Sequence, residues 1–126
     1  EAGVVAIFTT KLLKGEQPII NGNGKQTRDY VFVEDVVQAN RLALTYTGSA
    51  EFNVGTGTET DVNQIFHLIK DAVGSPAEER HGEAKKGEQL RSVLDNGLLR
   101  RTLGWNVTVS LKEGIARTVE HFRKAV

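Results

Sequence analysis

Cysteine and methionine are absent from this chain of 126 residues, proline occurs twice and tryptophan once. Without cysteine there is no disulfide framework, no thiolate nucleophile and no cysteine-based zinc site. Thiols therefore say nothing about redox compartment. Neither sign of charge dominates: 16 basic and 16 acidic side chains cancel. That balance disfavours nucleic acid as a partner, because such affinity needs clustered cations that displace counterions. No apolar run approaches the ~20 residues needed to span a bilayer, and the first residues lack a signal-peptide pattern. A cytoplasmic protein without membrane or nucleic-acid partners is expected.

Short catalytic motifs are also missing. Gly24-Lys25 resembles the end of a phosphate loop, but Ile19 stands where its first Gly belongs and Gln26 replaces the Ser/Thr. Gly55-Thr56-Gly57 follows a strand pattern, yet Thr60 occupies the place of the third Gly in a dinucleotide fingerprint. His67, His81 and His121 are too far apart for a local metal-ligand pair. His67 and His121 also fall off the apolar stripes of their helices, which makes them solvated surface, and no metal site is expected.

What is present is ordinary globular material, 39% hydrophobic and 25% charged, enough for one domain burying about two-thirds of its unfolded surface. Val4, Val5, Phe8 and Leu12 predict a helix ended near Gly15. A short extended run at 18–20 leads into an Asn21-Gly22-Asn23-Gly24 turn, and the β-branched and aromatic stretch 28–33 predicts a second strand. A helix over 34–44, apolar on most sides, should be largely buried, with Asn40 needing a partner there. Residues 51–54 read as a third strand. From Thr60 or Asp61 a stripe of Val62, Ile65, Phe66 and Ile69 predicts a helix stopped by Gly74 and Pro76. Residues 77–92 have no period and predict an exposed loop. Leu98, Leu99 and Leu103 suggest a short helix before Gly104, and Ser110 with Glu113 opens a last helix carrying Leu111, Ile115, Val119, Phe122 and Val126. The fold class is α/β, α+β in composition.

Several of these segments, in this order, carry a resemblance. Gly24-Lys25-Gln26-Thr27-Arg28-Asp29-Tyr30-Val31-Phe32-Val33-Glu34-Asp35 is followed by Ala39-Asn40, Phe52-Asn53-Val54-Gly55, Gly87-Glu88 with Arg91-Ser92, Leu103-Gly104-Trp105, and Gly114-Ile115. The set resembles the C-terminal portion of the NAD-dependent epimerase/dehydratase family, the extended short-chain dehydrogenases acting on nucleotide sugars. Its nearest likeness is to the 4-epimerases of UDP-hexoses. The resemblance implies that residues 1–126 form the nucleotide-sugar-binding portion. NAD and the catalytic Tyr-x-x-x-Lys pair would belong to an N-terminal Rossmann half absent from this chain. Glu34 follows Tyr30 by four and Ala50 follows Tyr46 by four, so no such pair exists here. The start at Glu1-Ala2-Gly3, without an initiator Met, fits the same expectation. No catalytic and no cofactor-binding residue is expected on this chain, which alone would be inactive.

The resemblance also assigns binding roles. Arg28 is implied as the diphosphate ligand, because a guanidinium fork donates paired hydrogen bonds at fixed charge. Asp29 would orient it or contribute to the site floor. Lys85 stands where many relatives carry Arg, Glu88 is a candidate acceptor for ribose hydroxyls, and Arg91 is a second phosphate candidate. Ile20 and Asn21 match the segment that lines the uracil. The helix at 34–44 and the strand at 52–54 would return to the missing Rossmann sheet, leaving an uncovered apolar face, so the chain is expected to self-associate and the parent to be a homodimer. A dehydratase or reductase on a similar substrate, and a stand-alone binding or assembly module, are the alternatives.

Overall fold

The helical stripe of Val62, Ile65, Phe66 and Ile69 sets the centre of the molecule, where all four side chains are buried. The computed structural model describes residues 3–125; Val126, expected on the last helical face, lies outside them. Helix α1 spans Val4–Leu13 and is followed by strands β1 (Ile20–Asn21) and β2 (Thr27–Arg28). Helix α2 (Val33–Leu44), strand β3 (Thr60–Asp61) and helix α3 (Val62–Val73) come next. Strand β4 (His81–Gly82), helix α4 (Gly97–Leu103) and helix α5 (Leu111–Ala125) complete the order. The architecture is mixed α/β with little sheet: β1 pairs parallel with β4, and β2 antiparallel with β3.

Helix α3 is held at both ends by local chemistry that the sequence announces. Asp61 accepts from the Gln64 N–H at 2.8 Å while the Gln64 side chain accepts from the Asp61 N–H, a reciprocal cap. Gly74 closes the other end with φ 78°, a left-handed conformation that favours glycine. Between these caps α3 packs against α1 and α5, burying Phe8, Leu12, Ile20, Ile115 and Val119 with its own stripe. Phe8 meets Phe66 edge to face, with ring centroids 5.9 Å apart.

A second, smaller core gathers Ala39, Leu99 and Trp105, with Val54 and Phe52 packed against it. Asp35 ties it together. Only 1% of Asp35 is exposed, and its carboxylate accepts from the N–H groups of Thr108 and Val109 and from the Thr108 hydroxyl. Its backbone carbonyl accepts the Trp105 indole N–H at 2.8 Å. The first turn of α2 thus grips the chain that leads into α5. Ser110 caps that helix by accepting from the Glu113 N–H.

Three expectations change. The strand predicted over 28–33 is confined to Thr27–Arg28, and residues 51–54 form no strand, because no ladder partner lies beside them among the described residues. Helix α2 buries only Asp35 and Ala39; Val33, Val37 and Leu44 are exposed, and so is Asn40. Apolar residues around its girth exceed what this chain can cover, which agrees with the uncovered face the resemblance implies. Residues 77–92 are largely exposed as expected, but they also contain β4.

Replacing Asp35 removes the buried acceptor for two N–H groups and a hydroxyl. Asp35→Ala is expected to cost about 2–4 kcal/mol in urea unfolding. Asp35→Asn, which keeps one acceptor oxygen, should cost less, and an unchanged midpoint for the alanine variant would contradict this role.

Candidate functional site

In and beside the two-residue strand β2, the side chains of residues 26–30 alternate between two sides. One side holds the segment in place. The Thr27 hydroxyl donates to Glu59 at 2.8 Å, and the Asp29 carboxylate accepts from the Thr56 N–H, the Thr56 hydroxyl, the Gly57 N–H and the Leu94 N–H. The other side presents Gln26, Arg28 and Tyr30 to a cavity of about 760 Å³. Asn21 and Ile19 add to the lining from around β1, residues 85–89 close one edge, and α1 contributes Val4, Ile7 and Phe8.

The turn before this segment depends on one close approach. Gly24 has φ 71°, and a Cβ there would stand 1.9 Å from Asn63 Oδ1. Asn63 donates to the Asn23 carbonyl and its N–H to the Gly24 carbonyl, so the start of α3 sets the turn. Any side chain at 24 would displace both.

Arg28 is oriented by backbone. Its Nη1 donates to the carbonyls of Thr27 and Gln89, at 2.6 and 2.7 Å. Its Nη2 lies 3.7 Å from Glu88 Oε2, too long for a hydrogen bond. The guanidinium is therefore fixed by hydrogen bonds at one nitrogen, while the other is ion-paired with Glu88, and both residues line the cavity. Tyr30, two residues on, has a buried hydroxyl with no hydrogen-bond partner among the described residues. Burial pushes its phenol up, the Arg28 guanidinium pulls against that, and Glu88 and Asp61 add to the rise, so it is a neutral donor at physiological pH. Gln26 bridges the Asn21 carbonyl and Glu88, at 3.1 and 3.4 Å.

Of the residues implied by resemblance, Arg28, Asn21, Lys85 and Glu88 come together around the cavity. Ile20 does not: it is fully buried in the main core, and its neighbours Ile19 and Asn21 line the cavity instead. Asp29 faces away from the cavity onto the 55–57 turn. Arg91 sits with Glu59 in a bidentate pair at 2.6 and 2.8 Å, outside the cavity lining, and holds the Glu59 carboxyl at about 2 together with the Thr27 hydroxyl. Gln26, Tyr30 and Gln89 were missed by sequence reasoning, although Gln26 and Tyr30 share the parity of Arg28.

The Gly55-Thr56-Gly57 turn does not fit a dinucleotide pyrophosphate. The Thr56 and Gly57 N–H groups that such a ligand would need already donate to Asp29. Among the described residues no group of His, Asp and Glu side chains is arranged to hold a metal ion, and no helix is long and apolar enough to cross a membrane.

Comparison with known proteins gives concordant matches. The profile of the family described as GDP-mannose 4,6 dehydratase matches residues 3–118. UDP-glucose 4-epimerase of Mycolicibacterium smegmatis is 50% identical over 124 residues, which is 98% of this chain and 40% of that protein. A crystal structure of UDP-glucose 4-epimerase from Thermotoga maritima with UDP-glucose superposes with TM-score 0.96 at 48% identity, covering 99% of this chain and 40% of the other. The Thermus thermophilus UDP-glucose 4-epimerase, solved with NAD, gives TM-score 0.88 at 39% identity, covering 100% and 42%. The chain thus spans about 40% of the length of the relatives it matches.

Asp29 supplies a pH test of the holding side. Burial raises its carboxyl, but the bonds from Thr56, Gly57 and Leu94 outweigh burial and leave it below the usual carboxylate range. A depressed carboxyl contributes stability that is complete above its unfolded value near ~3.9 and is lost as pH falls through the folded one. Asp29→Asn is accordingly expected to be less stable than the parent chain by about 1–2 kcal/mol at neutral pH. That gap should close as urea titrations move into acid below the unfolded value. A gap that stays constant in acid would contradict the assignment.

Proposed function

The chain belongs to the family described as GDP-mannose 4,6 dehydratase, and we propose that within it residues 1–126 are the nucleotide-sugar-binding portion of a UDP-hexose 4-epimerase. The observation that carries this reading is the single cavity face of Gln26, Arg28 and Tyr30, opposed by residues 85–89. Two further findings support it: the similarity to epimerases at 48–50% identity, and UDP-glucose in the Thermotoga maritima structure.

The chemistry assigns each group a task. Arg28 Nη2 takes the diphosphate, because a guanidinium held at its other nitrogen loses little freedom on binding an anion. Lys85 adds cationic charge at the cavity edge, Glu88 accepts from ribose hydroxyls, and Asn21 with Ile19 meets the base. An epimerase must let its hexose turn, so the binding energy has to come from the part of the substrate that stays still. NAD, present in the Thermus thermophilus structure, supplies hydride exchange in such enzymes. The Gly55-Thr56-Gly57 turn does not fit its pyrophosphate, so NAD is assigned to the length of the relatives outside the match, with the catalytic pair. The chain alone is then a binder and not a catalyst, with a cytoplasmic location and a homodimeric parent as part of the same proposal.

A dehydratase acting on a similar nucleotide sugar is the second reading, favoured by the description of the matching family. Calorimetric titration separates the two at the level of ligand: tighter binding of UDP-glucose than of GDP-mannose supports the epimerase reading, and the reverse order supports the dehydratase.

Arg28→Ala is expected to weaken UDP-glucose binding at least about tenfold, the cost of a charged hydrogen bond lost from the site. Arg28→Lys should recover only part of that loss, and equal affinity for the alanine variant and the parent chain would remove the assignment. Exposed Val33, Val37 and Leu44 predict self-association of the chain in sedimentation experiments, with Val37→Glu shifting it toward monomer. A monomeric parent chain at high concentration would contradict that prediction.

A further inference from the structure

His81 lies in β4, outside the proposed ligand contacts, and both of its ring nitrogens face acceptors. Nδ1 is 2.7 Å from the Gly22 carbonyl and Nε2 is 2.8 Å from Glu79 Oε2. A neutral imidazole has one N–H and can satisfy only one of these; the imidazolium satisfies both. The other oxygen of Glu79 is 2.8 Å from His67 Nε2 on α3, so one carboxylate joins β4, α3 and the preceding loop.

The two segments that this ring joins both border the cavity. Gly22 follows β1, whose Asn21 lines it, and β4 leads directly into residues 85–89 on its opposite edge. They already touch at one point, where a Cβ on Gly22 would stand 3.1 Å from the Ala84 Cβ. The β1–β4 ladder itself has only two residue pairs, so a side-chain bridge adds substantially to what fixes their spacing.

We infer that His81 is a positioning residue: as an imidazolium buckling the Gly22 carbonyl to Glu79, it fixes the 85–89 edge of the cavity against the Asn21 edge and makes nucleotide-sugar affinity fall as pH rises. This rests on the binding role proposed above. The titratable groups around the ring are Glu79 on its own segment and His67 on α3, which shares that carboxylate. Neighbouring Arg80 is paired with Glu78 at 3.0 Å, and β1 offers no titratable side chain.

The electrostatics agree with this geometry. Glu79, and then the Gly22 carbonyl, raise the His81 ring above its ordinary value, while His81 and then His67 lower Glu79. A raised histidine contributes fully below its unfolded value near ~6.5 and loses its contribution as pH passes the folded one. The buckle is therefore closed in mild acid and opens as pH rises through the ring's raised folded value.

The test follows two readouts of the 126-residue chain across about pH 5.5 to 8.5. Long-range proton–nitrogen spectra of the His81 ring are recorded with backbone amide shifts, and UDP-glucose is titrated calorimetrically, since its esterified diphosphate does not change charge in that range. The expected result is a ring protonated at both nitrogens in acid, with amides 22–24 and 84–89 shifting at the ring's own midpoint. UDP-glucose affinity should fall several-fold as pH rises, with a flat profile in His81→Gln and a weakened one in Glu79→Gln. Amides that ignore the ring's titration, or a parent affinity as flat as that of His81→Gln, would overturn the proposal. If UDP-glucose binds at no pH, the binding role falls, and the amide titration alone decides whether the buckle exists.

Discussion

The alternation of five side chains, residues 26–30, governs everything around the cavity. Because 27 and 29 point one way and 26, 28 and 30 the other, attachment and recognition are separated onto two faces of one short segment. Asp29 and Thr27 hold one face to the 55–57 turn and to Glu59; Arg28 is then aimed by two main-chain carbonyls, with Glu88 as a longer ion-pair partner at 3.7 Å. A shift of one residue would exchange the faces and bury the guanidinium against Thr56 and Leu94. Gly24 and Asn63 prevent that slip by locking the turn onto the first turn of α3.

The rigid part of the molecule supports this arrangement from beneath. Helices α1, α3 and α5 share one apolar core that includes Ile20, so the strand leading to Asn21 is anchored by a fully buried side chain directly beside the cavity. The opposite edge, residues 85–89, has no such core and is mostly exposed. Its position depends on polar links: Gln89 to Arg28, Glu88 to Gln26, and the His81 bridge at its root. A cavity with one packed wall and one polar wall suits a ligand whose charged end must be held while its sugar stays loose.

Helices were legible in the sequence because their signals are local. The stripe from Val62 to Ile69, the Asp61 cap and the Gly74 stop lie within one element, and the structure keeps all of them. Strands were legible only in part, because a ladder needs a partner: the runs at 18–20 and 28–33 overlap β1 and β2, but β1 finds His81 sixty-one residues away, in a segment with no β pattern. The burial of α2 was misjudged for a related reason, since Val33, Val37 and Leu44 advertise a covered face and nothing in this chain covers them. At the site, three residues that the resemblance names, Arg28, Lys85 and Glu88, lie around one cavity. Only register could tell that Ile20 belongs to the core while Ile19 and Asn21 line the cavity. Arg91 carried the right chemistry for phosphate but meets Glu59, a pairing between residues 32 apart that no local pattern announces.

A crystal structure of the chain with UDP-glucose tests the central claim most directly. The account predicts the diphosphate within hydrogen-bond distance of the Arg28 guanidinium, on the wall shared with Gln26 and Tyr30 and beneath residues 85–89. A ligand seated elsewhere, with Arg28 still turned to Gln89 and Glu88 and its cavity empty of phosphate, would contradict it.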